Sequence, residues 1–270
     1  MNKKHLLLTI CAISIISILI TSTSNVNASS LKFNGSKGYV TIWFDHAFSS
    51  QIPAIQNMSR DGLTGGILTV YLKENTTGYM TWDQIKQKQT DGWEIISHSM
   101  DHKTPTTTST QSFYDFEEVT SHNLLRNMGI NTIGYAFPAD IITTQGLLTV
   151  NQTYSWAVNG ICKQNTISTI IHDEKNRLKL NYTVLPMLHH CGVNTVGVAP
   201  VKGFLAAKTL IDQAEHNHTW LVLNFHQIDN TLADYHTTPT IFNQIEQYVK
   251  AKSDNGTIAV VSPCQGLGLC

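Results

Sequence analysis

The stretch Gly92-Trp93-Glu94-Ile95-Ile96-Ser97-His98-Ser99-Met100-Asp101-His102 decides how the rest of the chain is read. It opens as a turn at Asp91-Gly92, continues as a short apolar strand, and ends in two histidines four residues apart. A spacing of four places both imidazoles on one side of a helical turn, where they reach a single ion. Solvated histidines also fall at that spacing by chance, so the pair gains meaning only from what surrounds it.

Outward from this stretch, strands and helices alternate. Residues 38–44 form a β-branched and aromatic run that reads as a buried strand and stops at Asp45-His46. A helix is expected over 52–60, a strand over 67–72, and a helix capped by Thr81 through Lys88. The Thr/Ser/Pro tract 104–112 is a loop long enough to border a site. Helical spacing covers 113–128, a strand 132–137 stops at Pro138, and a helix 145–150 and strand 155–158 follow. The region 162–191 shows only strands and loops without clear period. Beyond it come a helix over 202–215, a buried strand 220–225 ending at His226, a helix 239–251 and a last strand 257–261. No linker and no solenoid repeat interrupts this order. It predicts one parallel, barrel-like α/β domain whose strand ends converge on one face. Asp45, His46, His98, His102, Pro138 and His226 all stand at those ends.

Composition bounds the function. The chain has 270 residues, 41% of them hydrophobic and 14% charged, with a net charge of −1. That is enough to bury a core and gives no electrostatic case for nucleic acid or an anionic membrane. Lys3 and Lys4, the apolar run 6–20 and the small-residue site Val26-Asn27-Ala28 read as a signal peptide over residues 1–28. A polar leader over 29–37, a domain over 38–263 and a tail over 264–270 follow. No second apolar segment is seen, so no stable membrane span is expected after cleavage, and the mature chain should be secreted or held at the cell surface.

Cys162, Cys191, Cys264 and Cys270 remain in that oxidising setting as disulfide candidates. Four cysteines allow three pairings. The short loop from Cys264 to Cys270 is the easiest to close, which would leave Cys162 with Cys191. Asn-x-Ser/Thr sequons at Asn34, Asn57, Asn75, Asn151, Asn181, Asn217 and Asn255 suggest a glycoprotein.

On these residues the chain resembles the polysaccharide deacetylases of the NodB-homology type, carbohydrate esterase family 4, over roughly 38–263. The family's Thr-Phe-Asp-Asp-Gly reads here Trp43-Phe44-Asp45-His46-Ala47, and its histidine motif reads Ser97-His98-Ser99-Met100-Asp101-His102. Its third motif reads Tyr135-Ala136-Phe137-Pro138-Ala139, and its last is the apolar strand ending at His226. Trp156 is a loose candidate for the fourth.

The resemblance implies a single distorted (β/α) barrel and a secreted, metal-dependent deacetylase acting on N-acetyl amides of an amino-sugar polysaccharide or surface glycan. Asp45 would be the base, His226 the acid, and His46, His98 and His102 the ligands of a divalent metal, zinc before cobalt or nickel. The backbone beside Pro138, at Ala139, would help hold the oxyanion. Two departures stand out: the family's second aspartate is His46, and no arginine precedes Pro138. A weakly active sugar- or metal-binding relative, and a deacetylase or amidase of a non-carbohydrate amide, are the competing classes. His189 and His190 read as structural, His216 and His218 as solvated, and Trp43, Trp93 and Trp220 as core.

Overall fold

The computed structural model describes residues 32–170, 185–195 and 200–270. The signal segment 1–28, the first residues of the leader and the sequon at Asn181 lie outside the described residues.

Strands β1 (Gly38–Phe44), β2 (Gly66–Thr69), β3 (Glu94–Ser97), β4 (Gly134–Ala136), β5 (Trp156–Asn159), β6 (Met187–His189), β7 (Cys191–Asn194), β8 (Val201–Lys202) and β9 (Trp220–Phe225) lie in one sheet. β12 (Ile258–Val260) joins it beside β1. The order is β6-β5-β4-β3-β2-β1-β9-β7-β8, and the pairs are parallel. β1 runs through the centre. It pairs with β9 along most of its length, with β12 at its start and with β2 at its end. A small ladder of β10 (Gln227–Ile228) and β11 (His236–Thr237) stands beside the mouth.

Side chains alternate across this sheet, as strand geometry requires. Val40, Ile42, Phe44, Leu221, Leu223 and Phe225 pack outward beneath the helices Ile52–Arg60, Gly203–Asn217 and Pro239–Asp254. Trp43, Trp156, Trp220, Leu68, Ile96 and Val222 fill the barrel interior. Trp43, Trp93 and Trp220 are core, as expected. So is Trp156, which is fully buried and donates Nε1–H to Glu94 at 3.0 Å, so it is no site residue.

The barrel is distorted where it should close. β6 pairs with β5 and β7 pairs with β9, yet only His190 separates β6 from β7 in sequence. The chain steps there from one sheet edge to the other. Asn165 fills the step: its backbone bridges Trp220, and its amide exchanges two hydrogen bonds with the backbone of His189. The Cys162–Cys191 disulfide lies alongside, and Cys264–Cys270 forms the second bond.

Elsewhere the elements fall near their expected places, with three differences. The strand expected over 67–72 ends at Thr69, because the following backbone pairs with the histidine loop instead: Tyr71 and Leu72 donate to Ser99 and Met100. The single helix expected over 113–128 contains a π-helical turn, Asp115–Thr120, between Gln111–Tyr114 and Ser121–Asn127. Residues of the polar leader and of the tail pack against the barrel. Phe33 is buried against Tyr39 and Trp220, and the helix Pro263–Leu267 carries Leu267 into the barrel core. Gly266 is required there, since a Cβ would lie 2.3 Å from the Trp220 ring. Among the described residues, no helix is long and apolar enough to cross a membrane.

Candidate active site and metal centre

Asp45 follows β1 directly and is buried. His46 and Ala47 both take left-handed backbone conformations, at φ 64° and 47°. Such values are strained for side-chain-bearing residues and gather at functional sites. Here they fold the chain back so that His46 faces inward, 18% exposed at its side chain. Gln51 secures the bend, its amide donating to the carbonyls of Asp45 and His226 at 2.7 Å each. That residue ties the ends of β1 and β9 together. No sequence signal marks it, because its partners are backbone atoms from a strand far along the chain.

His98 leaves β3 with its backbone N–H on Thr69 and its ring buried. Its Nδ1 lies 2.8 Å from the Ala136 carbonyl, so Nδ1 carries the proton and the Nε2 lone pair faces the cluster. His102 returns to the same spot through an irregular loop. The helical turn expected from the four-residue spacing does not form, because Ser99 and His102 are left-handed, at φ 76° and 66°. Ser99 Oγ accepts from His102 N–H. Glu117, buried in the π-helical turn, accepts from Met100 and Asp101 N–H at 3.2 and 3.3 Å. Glu117 thus holds the loop between the two histidines, a role invisible without the fold.

The result is a ring of imidazoles around one carboxylate. His46, His98 and His102 rings lie 4.6–5.1 Å apart. Asp45 Oδ1 is 3.4 Å from His98 and 3.8 Å from His46, and Oδ2 is 3.3 Å from His226. The Asn224 amide donates to Oδ2 at 3.1 Å.

Burial raises the Asp45 pKa, but His46, His226, His98 and Asn224 outweigh it and hold the carboxyl well below its usual range. Burial drives His46 down to about 4, against the opposing pull of Asp45. His102 falls to about 4 for the same reason, and burial also lowers His98 and His226. Near neutral pH the site is therefore an anion surrounded by neutral imidazoles.

That donor set fits a divalent metal. Nitrogen atoms of His46, His98 and His102 lie within 4.8 Å of one another, as do donor atoms of Asp45, His46 and His226. Asp45 Oδ1 and His46 Nδ1 are buried without hydrogen-bond partners. Neutral imidazole and carboxylate suit zinc and its neighbours.

Asp45, His98, His102 and His226 open on a cleft of about 600 Å³. Ala139 lines it, while Pro138 is buried behind the wall. His190, read above as structural, also lines the cleft and bonds Asp140 there. Its position at the step between sheet edges turns it inward, which strand alternation alone does not reveal. His189 is buried in the wall, and His216 and His218 are exposed.

No protein-family model matches the chain, and no curated protein matches it. Solved structures do. One is described as a probable polysaccharide deacetylase of Pseudomonas aeruginosa, with a TM-score of 0.61 at 9% identity over 85% of this chain and 89% of that one. Another is a family 4 acetyl xylan esterase of Clostridium thermocellum in complex with cobalt, with TM-score 0.55, 12% identity and coverage of 86% and 91%. The family 4 esterase domain of a multidomain xylanase from the Trinervitermes trinervoides hindgut metagenome gives 0.51, 12%, 85% and 89%. The chain has the distorted (β/α) barrel fold of these proteins, as its resemblance to the NodB-homology deacetylases implied.

Proposed function

We propose that this protein is a secreted, metal-dependent hydrolase that removes N-acetyl groups from an amino-sugar polysaccharide or surface glycan. The observation that carries the reading is the convergence of His46, His98 and His102 on Asp45 at the cleft floor. His46, His98 and His102 would hold the ion, zinc before cobalt or nickel. When bound, the ion supplies Lewis-acid polarisation of the acetyl oxygen and a more acidic water.

The chain's own residues handle the protons. Asp45, ionised, takes the proton of the attacking water. Asp45 Oδ2 touches His226 Nε2 at 3.3 Å, which gives that proton a path to the imidazole. His226 then delivers it to the departing amine, so one proton crosses from base to acid within the pair. Asn224 keeps Oδ2 aimed along this path. Ala139 lines the cleft, where its backbone N–H would support the developing oxyanion.

A second reading, hydrolysis of O-acetyl esters, is favoured by the similarity to an acetyl xylan esterase. Acetate release from N-acetylglucosamine oligomers and from acetylated xylan, with and without added zinc or cobalt, separates the two. We expect metal-dependent release from the amide substrate. Release from xylan alone would establish the esterase, and no release from either would leave a sugar- or metal-binding protein.

A further inference from the structure

A second carboxylate, Asp140, lines the cleft that holds Asp45, and the reaction above does not use it. Asp140 ends the short turn Pro138–Asp140, in which Ala139 and Asp140 are left-handed, at φ 49° and 58°. Two non-glycine residues are held there against their preference, and surrounding structure must enforce it. Two contacts do so. Asp140 rests on Gly160, where a Cβ would come within 1.8 Å of its carboxyl carbon, so this position has no room for a side chain. Asp140 Oδ1 also lies 3.1 Å from His190 Nε2.

His190 is itself tightly placed. It occupies the single-residue step between β6 and β7, its ring is 5.4 Å from Trp43, and its side chain is 11% exposed. The Cys162–Cys191 bond joins the residue after His190 to the segment just beyond Gly160, so both supports of Asp140 are clamped together. The contact with the His190 ring fixes the position of the carboxylate. The Asp140 side chain remains 42% exposed and lines the cleft. His98 and His226 line the same cleft.

An ionised carboxylate only accepts hydrogen bonds, so its ligand must donate. The cleft is far larger than an acetyl group, and its remainder must take the sugar. We propose that Asp140 seats a hydroxyl or ammonium group of the amino-sugar chain, with His190 as its positioning residue. The inference rests on the sugar-hydrolase reading.

Two tetramers with nothing to hydrolyse test it by calorimetry on the metal-loaded protein: cellotetraose, which offers hydroxyls, and glucosamine tetramer, which adds ammonium groups. Asp140→Asn and Asp140→Ser should weaken binding by about 10-fold, the scale of a charged hydrogen bond. Loss for both probes assigns a hydroxyl. Loss confined to the glucosamine tetramer, and fading in salt, assigns the ammonium. His190→Ala should follow the Asp140 variants, whereas His190→Gln, whose amide still donates, should keep most of the affinity.

Parent-like affinity in both Asp140 variants, or no binding of either probe by the parent, overturns the subsite. Parent-like affinity in His190→Ala overturns the positioning role. Absent acetate release together with intact, Asp140-dependent binding would sink the hydrolase and spare the subsite.

Discussion

Asp45 and His46 are neighbours with opposite expected roles, which makes them the sharpest test at the scale of single residues. His46→Ala should weaken metal binding by roughly 10-fold or more, a scale reached even by outer-shell changes. His46→Asp should keep metal and activity. Asp45→Asn should hold the metal and lose most turnover, since it removes a base and leaves the imidazole cluster in place. Metal content by elemental analysis, read beside acetate release, decides it. If Asp45→Asn loses the ion while His46→Ala keeps it, Asp45 is a ligand and His46 is not, and the assignment is reversed.

Asp45, His98, His102 and His226 were legible because each ends or follows a recognisable apolar strand. Gln51, Asn224 and His190 were not. Their partners come from distant segments, and nothing local distinguishes a buried glutamine or asparagine from an exposed one. The same limit hid the backbone at Ser99 and His102, where spacing suggested a helix and tertiary hydrogen bonds to Glu117 and from Tyr71 and Leu72 hold a loop.

Among the elements, the helical segment from Gln111 to Asn127 combines structure and site. Apolar spacing located it but not its π-helical turn, since one extra residue in a turn leaves little mark on the pattern. Within that turn two consecutive glutamates, Glu117 and Glu118, are both buried. Glu117 braces the histidine loop. Glu118 has an Oε2 without a partner, and burial, with Glu117 and Asp115 adding to it, pushes its pKa up to about 9. The folded chain then holds a proton that the unfolded chain gives up near pH 4.5. Its contribution to stability is full below that value and is lost as pH rises toward about 9. Glu118→Gln, neutral at every pH, should escape this loss. Thermal melts of parent and variant across that window should show the difference moving in the variant's favour as pH rises. A difference that stays constant would mean that Glu118 is ionised in the native protein.

At the scale of the whole molecule, alternation of strand and helix was enough to foresee a parallel barrel, because each element carries its own period. The closure was not foreseeable. It depends on Asn165 reaching two strands at once and on His190 standing where the sheet breaks, and the sequence around them has neither alternation nor helical spacing. The floor was missed for a related reason: short segments at the margins of a domain read as leader and tail. In the fold, Phe33 N–H donates to Gly266 at 3.0 Å, and buried Glu94 accepts from Cys264 N–H and Trp156.

That floor has a practical corollary. Phe33, beside Tyr39 and Trp220, and Cys264, bonded to Glu94, sit at the end where the strands begin, and the Cys264–Cys270 bond holds Cys270 there, while the cleft opens where the strands finish. Whatever is joined to Cys270, whether a resin, a partner domain or a wall polymer, stands on the side away from the cleft. Beads coupled through the C-terminal carboxyl should therefore release acetate per molecule at the rate of the free protein on a short, diffusible oligomer. A large drop would mean that this attachment reaches round to the mouth. The barrel is built like a tool with its handle and its edge at opposite poles.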